Sequence, residues 1–242
     1  MKIKMVVIIW LVMLMILIFH VFKKPHPRYE QFTSNYNVFY NRTEPKDIGT
    51  TPNYLYSVNS LDRHDVKCLH PEGILNGFSL KLDRNNRGYY DYTCYNMQDI
   101  DVQQLPATWT MVSDVDKFES AYMERHKVGE SCGENSGLSR FRLLSHYTPN
   151  KINYEYNCSK MRPKDSSMAL SNVCQQRETF PVPEQWGVER LIDTRVQCKA
   201  NEVLKDFKLV RDNNTQKVVY TCCDVNLVKK KENAGILEVP DQ

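Results

Sequence analysis

Eight cysteines are the residues of this 242-residue chain with the most chemistry to offer. Thiols can close disulfides, hold a metal or act as nucleophiles. His64, Cys68 and His70 lie close enough in sequence to be drawn as a metal or nucleophile cluster. The plainer reading is a disulfide cysteine with two loop histidines beside it, and it is preferred. Zinc would want paired knuckles, yet no C-x-x-C occurs and the one adjacent pair is Cys222-Cys223. Asp62, Asp65, Asp99 and Asp101 could supply a carboxylate pair for glycoside hydrolysis, but solvated loop acids are far commoner. His126 and His146 have no partner visible in the sequence. There is no G-x-S-x-G elbow, no H-E-x-x-H, no phosphate loop and no G-x-G-x-x-G. The expectation is therefore no catalytic residue, no metal and no cofactor, with the cysteines acting as staples.

Three stretches carry those cysteines in one pattern. Cys68 precedes Leu75, Phe78 and Leu80, and then Tyr90, Tyr92 and Cys94. Cys132 precedes Leu138, Phe141 and Leu143, and then Tyr154, Tyr156 and Cys158. Cys198 precedes Leu204, Phe207 and Leu209, and then Val218, Tyr220 and Cys222. Such recurrence marks an internal repeat. Apolar and polar residues alternate on both sides of a polar, turn-rich stretch, so each unit reads as a half-buried β-hairpin. If each unit closes on itself, the bridges are Cys68–Cys94, Cys132–Cys158 and Cys198–Cys222, which leaves Cys174 to pair with Cys223. Cys223 follows Cys222 in a strand and so points to the other face, free for an outside partner. Linking each repeat to the next is an alternative that the sequence leaves open. Each such loop is worth roughly 3 kcal/mol in the chain-entropy account.

The elements that present this frame begin with Met5 to Phe22, an apolar run whose one polar member is His20. Eighteen residues just cross a thin hydrocarbon core. A cleaved signal peptide would need small residues at its end, and residues 1–28 contain no Ala, Gly or Ser. The run is read as an uncleaved signal-anchor. Lysines flank both of its ends, so the positive-inside rule nearly ties. The even cysteine set breaks the tie in favour of a cytosolic N-terminus and an oxidising compartment for the C-terminal domain, outside the cell or in a lumen. Sequons at Asn41, Asn157 and Asn213 agree weakly, with Asn157 the poorest because it sits beside a cysteine in an expected strand.

Along the chain this gives a cytosolic N-terminus (1–4), a transmembrane anchor (5–22) and a stalk (23–55). A β ectodomain follows at 56–225, with repeats at about 66–95, 130–159 and 196–223, and then a mobile tail (226–242). The stalk has no periodicity and reads as a spacer or an extended arm packing on the domain. Asp114 to His126 is the best helix candidate, and the spacer 159–197 reads as loop. The fold class is mainly β, three disulfide-closed hairpins in a β-prism-like or other pseudo-threefold arrangement after one transmembrane helix.

Charge narrows the partners. The five basic residues within 1–28 leave 27 Lys+Arg against 29 Asp+Glu beyond them, a formal −2 for residues 29–242. Nucleic acid would want a basic face on the folded part, so it is not an expected partner. The lipid bilayer is one partner. A glycan or protein ligand is another, with Tyr54, Tyr56, Tyr95, Trp109 and Trp186 as the aromatic candidates for its surface. Core packing is the commoner role for Trp109 and Trp186.

The repeat unit, clearest in Cys198–Cys222 with its trailing Cys223, resembles repeats in surface or virion-associated proteins of large DNA viruses and protists, over about residues 60–225. The uncleaved N-terminal anchor resembles membrane components of such virions. The resemblance implies an attachment, entry or envelope role and transfers no catalytic residue. The expected function is a membrane-anchored, glycan- or protein-binding surface protein. The alternatives are a structural subunit of a membrane-bound homo- or hetero-oligomeric assembly and, less so, a secreted-type hydrolase.

Overall fold

The computed structural model describes residues 31–32, 36–46, 50–51, 54–55, 58–114, 120–145, 151–171, 173–183, 191–192, 194–212 and 214–230. All of them belong to one compact unit, Gln31–Gln242. The apolar run 5–22 lies outside the described residues. Among the described residues no helix is long and apolar enough to cross a membrane.

The three expected hairpins form, and the structure is mainly β. They are Ile74–Leu82 with Gly88–Met97, Ser136–Ser145 with Lys151–Pro163, and Glu202–Asp212 with Thr215–Asp224. Local chemistry makes the turns. The Asp83 carboxylate accepts the backbone N–H groups of Asn85 and Arg87, and Asn86 takes the left-handed conformation at φ 57°. Asn214 does the same in the third hairpin at φ 65°. Asparagine tolerates this region better than other side chains do. Each hairpin carries a register shift at the same point, Leu75/Gly77, Leu138/Arg140 and Leu204/Asp206.

A lone hairpin is marginal in water, and each one here recruits strands on both sides. The first sheet runs in the order Arg195–Gln197, Ile74–Leu82, Gly88–Met97, Tyr36–Arg42. The second runs Val66–Lys67, Ser136–Ser145, Lys151–Pro163, Ile100–Trp109, and the third runs Lys127–Val128, Glu202–Asp212, Thr215–Asp224, Cys174–Glu178. The short strand before each repeat cysteine thus pairs with the hairpin of the next repeat, and the last returns to the first. Val66 faces Phe141, Val128 faces Phe207 and Val196 faces Phe78 in register.

The inward faces meet in one core. The rings of Phe78, Phe141 and Phe207 touch pairwise at 4.8 to 5.0 Å between centroids. Around them lie Leu80, Leu143 and Leu209, with Tyr90, Tyr92, Tyr154, Tyr156 and Tyr220. Burial of each Phe or Leu contributes about 1.5–3 kcal/mol. Where the hairpins start, Ile74, Gly137 and Val203 converge. A Cβ on Gly137 would stand 2.7 Å from Ile74 Cγ2 and 3.1 Å from Val203 Cγ2.

Four disulfides are present: Cys68–Cys94, Cys132–Cys158, Cys198–Cys222 and Cys174–Cys223. Each repeat closes on itself, and the fourth bridge ties the flanking strand Cys174–Glu178 to the opposite face of the third hairpin.

Several expectations need correction. Residues 36–42, read as part of a spacer or of an extended arm packing on the domain, take the second form and pair along their whole length with Gly88–Met97. That strand is mostly exposed, which is why it shows no alternating pattern. Residues 227–229, assigned to the tail, form the centre of a three-stranded sheet with Gln31–Phe32 and Met168–Leu170. This sheet covers a second apolar cluster that includes Ile74, Met97, Ile100, Met161 and Val203. The spacer 159–197 holds strands rather than loop alone. Of the helix candidate 114–126, the described part is the short 3-10 segment Ser120–Arg125.

Candidate ligand groove on the first sheet

Strand register fixes which side chains share the outer face of each sheet. On the first sheet one row across the strands reads Arg195, Ser79, Asp91, Arg42. The row beside it reads Gln197, Gly77, Thr93, Tyr40, and Lys81 and Tyr89 begin the next. Apart from Tyr89, these residues line a groove of about 420 Å³.

The other two sheets explain why this face is hollow. Where the first hairpin has Gly77 and Ser79, the second has Arg140 and Arg142 and the third has Asp206 and Lys208. In the second sheet those long side chains are neutralised in place. Arg140 reaches Asp65 at 2.7 Å and Glu155 at 3.6 Å, and Arg142 reaches Glu155 at 2.5 Å. In the third sheet Lys127 pairs with Asp206 at 3.4 Å and Lys217 with Glu178 at 2.7 Å. Only the first sheet has small residues at both positions. Gly77 also permits close approach, because a Cβ there would stand 2.5 Å from the Val196 carbonyl oxygen.

The groove is locally cationic on a domain of formal charge −2. Arg42, Lys81 and Arg195 surround a single carboxylate, Asp91. Arg42 is committed, donating to Asp91 at 2.8 Å with its guanidinium 4.3 Å from the Tyr89 ring centroid. Arg195 makes only a 3.4 Å contact with Gln197 Oε1. Neither Arg195 nor Lys81 has a carboxylate partner among the described residues. Tyr40, 84% exposed, stands over one end as an aromatic platform.

The sequence candidates fall out as follows. Tyr95 is buried, stacked on Tyr36 at 4.5 Å, and its hydroxyl is pushed up to about 12 by burial and by Tyr36; it packs the fold and is removed from the binding set. Trp109 is 57% exposed and lines a second groove of about 430 Å³ with Met111 and Val112. Tyr54 lies in the short strand Tyr54–Leu55. Tyr56, Trp186 and Asn213 lie outside the described residues. Asn157 is buried, and its carboxamide donates to the Leu105 carbonyl. Asn41 lines the groove and donates to the Phe39 carbonyl.

The chemical candidates do not converge. His64 is buried against Thr43 and Tyr90, while His70 meets Asn96 and Phe39 at the surface. Asp62 accepts from Ser145, and Asp65 is held by Arg140. Cys198, Cys222 and Glu202 lie within ligand distance of one another, but both thiols are spent in their disulfide. A carboxylate pair missed in the sequence, Glu202 and Asp224, faces across the third hairpin. Burial works to raise Glu202, but the Arg177 fork and the Lys199 amide outweigh it, so Glu202 stays ionised. Burial raises Asp224, with Glu202 adding to the shift. With Arg177 occupying both of its oxygens, Glu202 is a structural clip.

No sequence pattern marks Gly77 and Ser79 as a site. Their signal is a departure from the other two repeats that the repeat alignment already contains, but only the structure shows that it hollows an outer face. Comparison with family models, with curated proteins and with solved structures finds no match to this chain.

Proposed function

We propose that this chain is a membrane-anchored surface or virion protein, with its N-terminus in the cytosol and its stapled β domain outside. On this reading the domain is a non-enzymatic binding module for a glycan or protein ligand, and the groove of the first sheet is its binding site. The observation that carries it is the pair Gly77 and Ser79, which hollow one face where the second repeat places Arg140 and Arg142, paired with carboxylates, and the third places Asp206 and Lys208. Four disulfides fit an exported domain. We also read the three sheets as a pseudo-threefold, β-prism-like arrangement. Support comes from the cyclic strand pairing and the Phe78, Phe141, Phe207 cluster. The test is retention of the full chain, held in lipid nanodiscs, on cell surfaces treated beforehand with protease or with glycosidase. On untreated surfaces wild type is expected to be retained and Ser79→Arg lost, and the treatment that abolishes wild-type retention identifies the ligand as protein or glycan. Equal retention of both would remove the groove from the function.

A second reading, a structural subunit of a membrane-bound assembly, rests on the exposed apolar trio Trp109, Met111 and Val112. Under it the detergent-solubilised protein runs as a complex, and Trp109→Ser with Met111→Ser dissociates it.

A further inference from the structure

Resting on the binding reading above, we infer that the first-sheet groove recognises a saccharide carrying a single anionic group, a carboxylate or a sulfate. The charges are the first reason. Arg195 and Lys81 lie on adjacent rows of one side of the groove, and neither has a carboxylate partner among the described residues. A guanidinium presents a planar fork of donors that suits an oxyanion, and a nearby ammonium adds a point charge. Long polyanions fit poorly, because Asp91 stands in the same groove at 2.8 Å from Arg42 and would repel a second negative group.

The remaining lining suits sugar hydroxyls. Asp91 offers acceptor oxygens, and Ser79, Thr93 and Gln197 offer side chains that donate and accept. Tyr40 presents an exposed ring on which the apolar face of a sugar can lie. The volume of about 420 Å³ lies within the range of small-ligand pockets. An apolar peptide anchor would find little here, since the floor is Gly77 and Ser79 and the walls are polar. The neighbouring sheets act as internal controls. In the second sheet the corresponding positions carry arginines already paired with carboxylates, and in the third they carry Asp206, paired with Lys127, and the long side chain of Lys208, so neither has a hollow floor.

The test is direct. The full chain in lipid nanodiscs is titrated with sialyllactose, with lactose sulfate and with plain lactose, at low salt and at physiological salt. At least one acidic sugar is expected to bind tenfold or more tighter than lactose and to weaken as salt rises. Which acidic sugar binds identifies the anion as carboxylate or sulfate. Arg195→Gln is expected to cost about ten- to hundredfold in affinity for the acidic sugar and much less in affinity for lactose. Ser79→Arg, which copies Arg142 of the second repeat, is expected to abolish binding, with thermal melting confirming that it folds. Equal affinity for acidic and neutral sugars, no response to Arg195→Gln, or no binding of any of the three overturns the inference. Should that happen while Ser79→Arg still abolishes retention on cell surfaces, the binding reading stands and only the anionic-sugar inference falls.

Discussion

His64 and His126 hold corresponding places in the first and second repeats, and each meets through Nδ1 the hydroxyl of a threonine that directly follows a flanking strand. The partners are Thr43 at 3.2 Å and Thr110 at 2.9 Å. Each threonine also accepts a backbone N–H from the hairpin, Tyr90 for Thr43 and Tyr154 for Thr110. The edge of a tyrosine ring faces each imidazole, Tyr90 for His64 and Tyr154 for His126. In the third repeat Thr194 takes the place of the histidine, and Thr179 bonds Val218.

These two imidazoles make stability depend on pH. Burial lowers both to about 4, helped by Lys46 and Arg63 at His64 and by Arg125 at His126, with Asp62 opposing weakly at His64. In the unfolded chain each titrates near 6.5. Between about pH 4 and 6.5 the unfolded state therefore binds more protons, and stability falls as pH falls through that window. Above 6.5 the contribution is complete. The loss is at most about 3 kcal/mol per histidine. Thermal melts from pH 7.5 to 4 check it. His126→Gln is expected to flatten the slope, and an unchanged slope would exclude His126 as its source.

Gly137 is set by a steric limit. Gly137→Val would push methyl groups into Ile74 and Val203, with the Leu204 carbonyl oxygen 3.2 Å from the new Cβ. A cost of about 1–3 kcal/mol is expected, as for other overpacked cores. Gly137→Ala with Ile74→Ala should destabilise less than the sum of the two single changes, because the pair shares one space. Denaturant titration of the four proteins checks this, and strict additivity would disprove the contact.

The four disulfides differ in access. Cys174 is exposed, whereas the six repeat cysteines are buried. Limited reductant is expected to open Cys174–Cys223 first, read by alkylation and peptide mass mapping. The same map under thiol-blocking conditions should return Cys68–Cys94, Cys132–Cys158 and Cys198–Cys222. Each repeat bridge encloses a separation of 24 to 26 residues, and losing one should cost about 3–4 kcal/mol.

Glycosylation should spare Asn157, which is buried with its carboxamide bonded to the Leu105 carbonyl. Glycopeptide mass spectrometry of exported protein checks it; occupancy at Asn157 would contradict the second sheet. A glycan on Asn41 would sit at the groove mouth, so Asn41→Gln is expected to raise ligand affinity wherever Asn41 is occupied.

The sequence by itself determined the hairpins and narrowed the disulfides. Period-two alternation reports which face of a strand is buried, and the recurrence of Cys, Phe, Leu and Tyr at matched offsets places each unit in register. Whether each repeat closes on itself or links to the next is decided by the tertiary structure, which brings Cys68 to Cys94, Cys132 to Cys158 and Cys198 to Cys222. Two strands were illegible because their residues carry no readable period. Tyr36–Arg42 is mostly exposed, and Leu227–Lys229 is too short for a period to show. Strand pairing between repeats, Val66 on Phe141 or Val196 on Phe78, is a long-range choice that no local pattern encodes. The groove belongs to that level too. Arg195 reaches Ser79 only because the last repeat closes on the first, and only that closure turns two small residues into a cavity.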